Sequence, residues 1–293
     1  MAVVADLDSI PTVRQVVGAL DARYPRAWAE SWDRVGLVLG EFDHPVARVL
    51  CVVDCVPETV DEALGAGADL IIAHHPLLLK PVSSIAPDTF KGRIVHRLIR
   101  AGVALYTAHT NADTANPGVS DALAARLDLT DLRPLVPAEG AAAGEGRGLG
   151  RIGELREALP LGELAAFAAA RLPATRGGVR AAGDPSLLVR TLAVCGGAGD
   201  SFLSAAARAG ADAYLCADLR HHPVSEHLAD DGPALLDVAH WASERPWLDD
   251  VAARLRAEFP VDVLVSDLDT DPWTVHAASA GVHSASDEKE THP

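Results

Sequence analysis

The stretch Asp69-Leu-Ile-Ile-Ala-His-His-Pro-Leu77 constrains this chain most. Leu70 to Ala73 read as an apolar strand that runs directly into two adjacent histidines and a proline. Residues just past the carboxyl end of a buried strand are exposed yet held by a rigid scaffold, so such strands end in ligand sites. In a regular strand His74 and His75 would point to opposite faces. Pro76 biases His75 towards an extended or turn conformation, which ends the strand and lets both rings face one crevice. Two neighbouring imidazoles suit two neighbouring metal ions; the plainer reading is a surface pair beside a turn.

The rest of the chain alternates in the same manner. Val13, Val16, Val17 and Leu20 have the spacing of an amphipathic helix stopped near Pro25. Val49 to Val53 is a β-branched strand, and Pro57 suits the first turn of a helix. A helix carrying Ile94, Val95, Leu98 and Ile99 ends at Gly102, and the strand Val103–Thr107 then runs into His109-Thr-Asn-Ala-Asp113. Strand, helix, strand, helix in this order predicts an α/β fold built on a mostly parallel sheet. Residues 130 to 150 are rich in Ala and Gly and read as a linker or mobile loop. A second α/β unit follows, with a helix at 161–171 and a strand at 191–195. Gly196-Gly-Ala-Gly199 reads as a tight turn, or more weakly as an anion cradle.

Ala66-Gly-Ala-Asp69, a strand and His74-His75 are echoed by Ala209-Gly-Ala-Asp212, a strand and His221-His222. The echo suggests two related halves. A strand ending near Val238 leads to a helix from His240, on which Glu244 shares the face of His240. A final strand covers 261–265, and residues 275–293 read as a disordered tail.

His74, His75, Asp113, His240 and Glu244, with His109 close by, supply what a two-metal site needs: terminal imidazoles and carboxylates able to bridge. Paired ions activate water at neutral pH and polarise an oxygen-bearing substrate. His109, Thr110 or Asp237 would orient the rings from behind. Taken alone, His240 and Glu244 suit an exposed helix pair, Asp113 a helix-capping acid and His109 a core histidine. Their shared position at strand ends favours the metal site. His221 and His222, if the halves correspond, face that site and serve acid–base work or substrate holding. Trp28 and Trp32 read as packing or interface residues.

Composition excludes several classes. With 41 acidic residues against 25 Lys and Arg, the net charge of −16 argues against nucleic-acid binding, which needs a basic footprint. A small anionic substrate remains compatible, because metal ions supply local positive charge. No apolar run approaches the ~20 residues of a membrane helix, and the amino terminus lacks a basic signal-peptide region. Cys51, Cys55, Cys195 and Cys216 read as reduced core thiols. These features point to a cytoplasmic protein.

Six stretches together resemble the Nif-three-like dinuclear metal centre hexameric proteins, also known as GTP cyclohydrolase I type 2 homologues. They are Ser31–Gly36, Asp69–Pro76, Ala108–Asp113, Asp212–His222, Leu236–Glu244 and Ser266–Trp273, in family order over nearly the whole chain. The resemblance implies two similar, interlinked α/β lobes: 1–129 completed by about 235–274, and 130–234. It implies a metal site in the cleft at the strand carboxyl ends, a toroidal homohexamer, and two divalent ions per subunit, zinc, iron or manganese. Their ligands would be His74, His75, Asp113, His240 and Glu244, with Asp113 or Glu244 bridging, while His109, His221 and His222 line the pocket. Ala217 and Ala239 stand where the family usually has glycine, and the insert domain of larger members is absent. The implied activity is hydrolysis of a small nucleotide-like or anionic substrate. The rival expectation is a non-catalytic metal-handling protein or regulatory scaffold.

Overall fold

The structure, a computed structural model, describes residues 10–277. Its first half is built from α1 (Val13–Arg23), β1 (Gly36–Leu39), β2 (Arg48–Val52), α2 (Pro57–Ala66), β3 (Leu70–Ala73), α3 (Phe90–Ala101), β4 (Ala104–Thr107), α4 (Thr110–Thr114) and α5 (Val119–Arg126). The second half adds β5 (Thr130–Pro137), β6 (Gly148–Pro160), α6 (Leu161–Arg171), β7 (Val179–Ala182), β8 (Leu188–Ala198), α7 (Leu203–Ala209), β9 (Ala213–Ala217), α8 (His221–Ala229), β10 (Ala234–Val238), α9 (His240–Glu258) and β11 (Asp262–Val265).

These strands form two sheets. The first has the order β1-β4-β3-β2-β11, parallel throughout except for β1. The second runs β5-β6-β8-β9-β10-β7, with only β8, β9 and β10 parallel to one another. The predicted parallel sheet is thus realised in the first, while the second is mixed.

The mixture arises in the stretch expected to be a linker. Residues 130–160 instead fold into the antiparallel pair β5 and β6, which lies against β8. Its glycines serve close approach: Gly148 has φ +152°, and a Cβ there would lie 2.2 Å from the Val136 carbonyl oxygen. Leu135 and Ile152 turn inward and are buried. Arg151 is also buried, its guanidinium paired with both Asp121 oxygens at 2.7 and 2.8 Å. Ala/Gly composition here reports tight strand packing.

The two Ala-Gly-Ala-Asp turns agree in hydrogen-bond detail. Asp69 Oδ2 accepts from the backbone N–H groups of Ala47 and Arg48, at 2.8 and 2.9 Å. Asp212 Oδ2 accepts from those of Arg190 and Thr191, at 2.9 and 2.8 Å. Each turn follows a helix capped by a left-handed glycine, Gly67 or Gly210, as no Cβ opposes that conformation.

Helix α9 ties the sheets together. It leaves β10 in the second sheet, and its Trp241, Trp247, Leu248 and Val251 pack in the core of the first with Val16, Leu70 and Tyr106. The chain then adds β11 beside β2. All four cysteines are free and buried, and burial pushes the Cys51, Cys55 and Cys216 thiols up to about 12. From residue 278 onward the expected tail lies outside the described residues.

Candidate metal centre

The carboxyl ends of β3 and β4 meet the start of α9. The consecutive N–H groups of His74 and His75 donate to the Val52 and Val53 carbonyls at 3.0 and 2.9 Å. A regular parallel strand would present only alternate residues to one neighbour. The chain therefore leaves strand geometry here, and both rings come to one side with centroids 5.1 Å apart. After β4, His109 precedes the short α4, and Asp113 N–H donates to the His109 carbonyl. His240 opens α9, and its Nε2 lies 3.1 Å from Glu244 Oε1 one turn on.

Each of the four imidazoles is held from behind through Nδ1. His74 Nδ1 donates to the Ala108 carbonyl at 2.8 Å. His75 Nδ1 meets Asp54 at 2.7 Å, His109 Nδ1 meets Asp33 at 2.9 Å, and His240 Nδ1 meets Asp218 at 2.8 Å. A carbonyl oxygen only accepts, so His74 carries its proton on Nδ1 and leaves the Nε2 lone pair free. Fixing the far nitrogen in this way orients a metal-binding ring and raises its basicity.

Around Glu244 the near nitrogens converge. Its Oε1 lies 3.4 Å from His74 Nε2, and its Oε2 lies 3.0 Å from His75 Nε2. Asp113 Oδ1 stands 3.7 Å from His74 Nε2. Two sets have ligand atoms within 4.8 Å of one another: His74, His75 and His109; and His75, His240 and Glu244. His75 belongs to both, so the two groups adjoin.

The buried His74 Nε2 has no hydrogen-bond partner, and Glu244 Oε2 meets only His75 Nε2, at 3.0 Å. An unsatisfied buried polar atom costs about 1–3 kcal/mol, and a cation placed between an imidazole nitrogen and a carboxylate offsets that cost. The donor set, imidazole nitrogens and carboxylate oxygens, is one that borderline divalent ions accept. The residues fit a metal.

The electrostatics agree. Burial by itself would lower the His75 and His240 pKa values, but Glu244 and the Nδ1 carboxylates outweigh it and raise them to about 10 and about 11. Burial would likewise raise Glu244, yet His75, His240 and His74 hold it well below the usual carboxylate range. For Asp113 burial dominates and raises the pKa. At Asp33 burial is outweighed by hydrogen bonds from His109 and Thr110, which lower it. The cluster is a set of imidazoles and carboxylates charged by one another.

Strand β8 closes the site. Gly196 and Gly197 lie within this strand, which corrects their reading as a tight turn or anion cradle. A Cβ on Gly197, at φ +72°, would lie 2.4 Å from Glu244 Oε1 and 3.0 Å from His240 Nε2. The glycine leaves room for Glu244 and His240.

The other expected residues fall outside the cluster. His221 and His222 are exposed on the first turn of α8, and their rings meet edge to face with centroids 5.1 Å apart. Counting from the two turn aspartates aligns Ala217 with His74 and Asp218 with His75, so the second pair begins four residues too late to reach the strand end. Asp237 holds Leu219 N–H at 3.2 Å and pairs with Arg180, without orienting any ring of the cluster. Thr110 acts one step further out, donating to Asp33. Trp32 is 53% exposed with its ring edge on His109. Asp33, Asp54 and Asp218 were missed as ring-holding residues. Asp218 follows β9 directly and Asp54 lies two residues past β2, so the strand-end rule that singled out His74 would have found both.

The family profile described as Duf34/NIF3 (NGG1p interacting factor 3) matches residues 11–272. The chain belongs to the DUF34/NIF3 family. A Streptomyces coelicolor relative named GTP cyclohydrolase 1 type 2 homolog is 56% identical over 94% of this chain and 98% of its own length. A Mycobacterium tuberculosis relative of the same name is 38% identical, covering 89% of this chain and 96% of its own length. The Bacillus cereus protein related to NIF3 superposes with TM-score 0.84 at 26% identity, covering 92% of this chain and all of that one. A Staphylococcus aureus protein gives TM-score 0.83 at 27% identity, over 91% of this chain and all of its own. The two-sheet α/β fold is that of the DUF34/NIF3 structures. No helix among the described residues is long and apolar enough to cross a membrane.

Proposed function

We propose that the protein is a dinuclear, divalent-metal-dependent hydrolase acting on a small nucleotide-like or otherwise anionic substrate, and that it assembles as a homohexamer. His74, His75, Asp113, His240 and Glu244 would hold the ions. The carrying observation is the set of inward nitrogens around Glu244, each ring held through Nδ1, with His74 Nε2 buried and unpartnered. The names of the relatives make GTP the first substrate to try.

When bound, zinc, iron or manganese supplies Lewis acidity, activating water and neutralising substrate charge in a chain of net charge −16. The protein's own residues do the positioning. Glu244 and Asp113 carry the negative charge that faces the imidazoles. His109 is the proton carrier: Asp33 fixes its Nδ1–H, leaving Nε2 as the basic atom. Burial of His74 and Glu244 keeps bulk water from the inner side of the cluster. His221 and His222, exposed on α8, are the more distant candidates for holding substrate.

Elemental analysis of wild type, Asp113→Ala and His109→Gln, paired with turnover of GTP, tests this. Wild type should contain two ions per chain and Asp113→Ala markedly fewer with its fold intact. His109→Gln should keep its metal and lose turnover by roughly 10²–10⁴-fold, the usual contribution of a proton-transfer group. Metal-loaded protein that turns over no nucleotide or other phosphate ester would instead establish the metal-handling role. Light scattering should give six times the 30.6 kDa chain mass.

A further inference from the structure

Beside the imidazole cluster lies a cavity of about 490 Å³ with His240 as shared wall. Its volume is that of a small-molecule site. Trp273 lines it and is 71% exposed, an indole face with little packed against it. The charged and titratable lining is mostly acidic: Asp218, Asp237 and Asp271, against Arg180 and His276. Arg180 is already paired with Asp237. Asp218 uses Oδ2 on His240, and Asp271 uses Oδ1 on the backbone N–H of Trp273, which leaves Asp218 Oδ1 and Asp271 Oδ2 as acceptors.

The tryptophan is also tied to the metal cluster. Asp54 holds His75 through Oδ1 and accepts from Thr270 through Oδ2. Thr270 stands three residues before Trp273, in a segment whose Ser266 hydroxyl donates to Glu62 at 2.6 Å. One carboxylate thus fixes a candidate ligand and the strap that presents the indole.

We infer that this cavity is the recognition pocket for a flat nitrogen heterocycle with N–H donors on its edge, stacked on Trp273. The inference rests on the hydrolase reading above and names which part of the substrate each region takes. The acidic lining repels a phosphate and accepts N–H groups. The anionic or reacting end therefore points past His240 to the cluster, and the ring fills the cavity. Stacking on an aromatic face tolerates any planar base, while the carboxylate acceptors select rings that donate.

Intrinsic fluorescence and calorimetric titration with GMP, and with ribose 5-phosphate as the ringless control, test this on the full-length chain with metal content recorded for every sample. GMP should quench the emission and bind at least tenfold more tightly than ribose 5-phosphate. Trp273→Ala should lose at least tenfold in GMP affinity and leave ribose 5-phosphate unchanged; Trp273→Phe should stay within about threefold of wild type. Trp273 is exposed, so both variants should keep the wild-type melting temperature. Equal binding of the two probes, GMP binding indifferent to Trp273→Ala, or no GMP binding at millimolar concentration to metal-loaded protein would each overturn the pocket while leaving the metal centre standing. Absent metal with ring-dependent binding would have the reverse meaning.

Discussion

Replacing Gly197 by alanine should empty the candidate centre without unfolding the protein. The residue lies in β8 at φ +72°, where a side chain costs about 1–2 kcal/mol. Alanine also restricts the unfolded chain, which offsets about 0.4–1 kcal/mol of that cost. The backbone strain should therefore cost the metal-free protein only about 1 kcal/mol, a fall of roughly 2–4 °C in melting temperature before any cost of moving Glu244 is added. The ligands fare worse. The new Cβ would lie 2.4 Å from Glu244 Oε1, so that carboxylate must retreat by about 1 Å to reach ordinary contact distance. A free glutamate would swing aside cheaply. Glu244 is buried at the meeting point of three imidazoles and has nowhere equivalent to go. Because His240 Nε2 is crowded too, at 3.0 Å, metal affinity should fall by at least the 10–100-fold seen when a single ring-holding partner is removed. Calorimetric titration with zinc or manganese gives the affinity, and scanning calorimetry of the metal-free protein gives the stability. Wild-type affinity and stoichiometry in Gly197→Ala would refute the placement of Glu244 and His240 as ligands against β8.

Four further outcomes are expected. Asp54→Asn should weaken metal binding by roughly 10–100-fold while leaving the ligands themselves in place; unchanged affinity in titration would show that His75 needs no orienting carboxylate. Metal affinity should rise with pH, because His75 and His240 are raised from 6.5 to about 10 and about 11 and must shed their Nε2 protons to bind. For these two rings the slope is about two decades of affinity per pH unit between pH 7 and 10, checked by proton release into buffers of differing ionisation enthalpy. In metal-free protein the same raised values stabilise the fold fully below pH 6.5, and that stability is lost as pH rises through about 10 and 11. Asp121→Ala should cost about 3–5 kcal/mol in urea unfolding, since it strands the buried Arg151 guanidinium, and Arg151→Met in the same chain should restore part of the loss.

What the sequence made legible was local. His74, His75, Asp113, His240 and Glu244 each sit at or one turn past a strand end, and runs such as Leu70–Ala73 announce those ends without tertiary information. The structure brings these five residues and His109 together, as their shared position implied. What stayed hidden depended on partners far along the chain. Residues 130–150 looked like a linker because glycine serves looseness and tight packing equally well, and only the Val136 carbonyl 2.2 Å from a Cβ on Gly148 distinguishes the two. Gly197 was opaque for the same reason, its neighbour Glu244 lying 47 residues away. Asp33 precedes His109 by 76 residues, and no spacing rule reaches that far.

Helix α9 explains why those long-range partners matter to function. His240 and Glu244 occupy its first turns, where it has just left β10 of the second sheet, while its later residues pack in the core of the first. His74, His75, His109 and Asp113 all follow strands of the first sheet. His240 is in turn held by Asp218, which follows β9 of the second sheet in a left-handed conformation at φ 60° that a non-glycine residue adopts only when its surroundings fix it. The centre is therefore complete only when both sheets are docked, and any ion bridging the first-sheet histidines to Glu244 also clamps the two together. An ion that needs both sheets then stabilises the docked state by RT ln(1 + c/Kd) at free ion concentration c, more as that concentration rises. It follows that chelation should loosen the α9 amino terminus, Asp218 and β8 together, ahead of the strands of the first sheet, when followed by hydrogen exchange. Uniform loosening of both sheets would place the ions elsewhere.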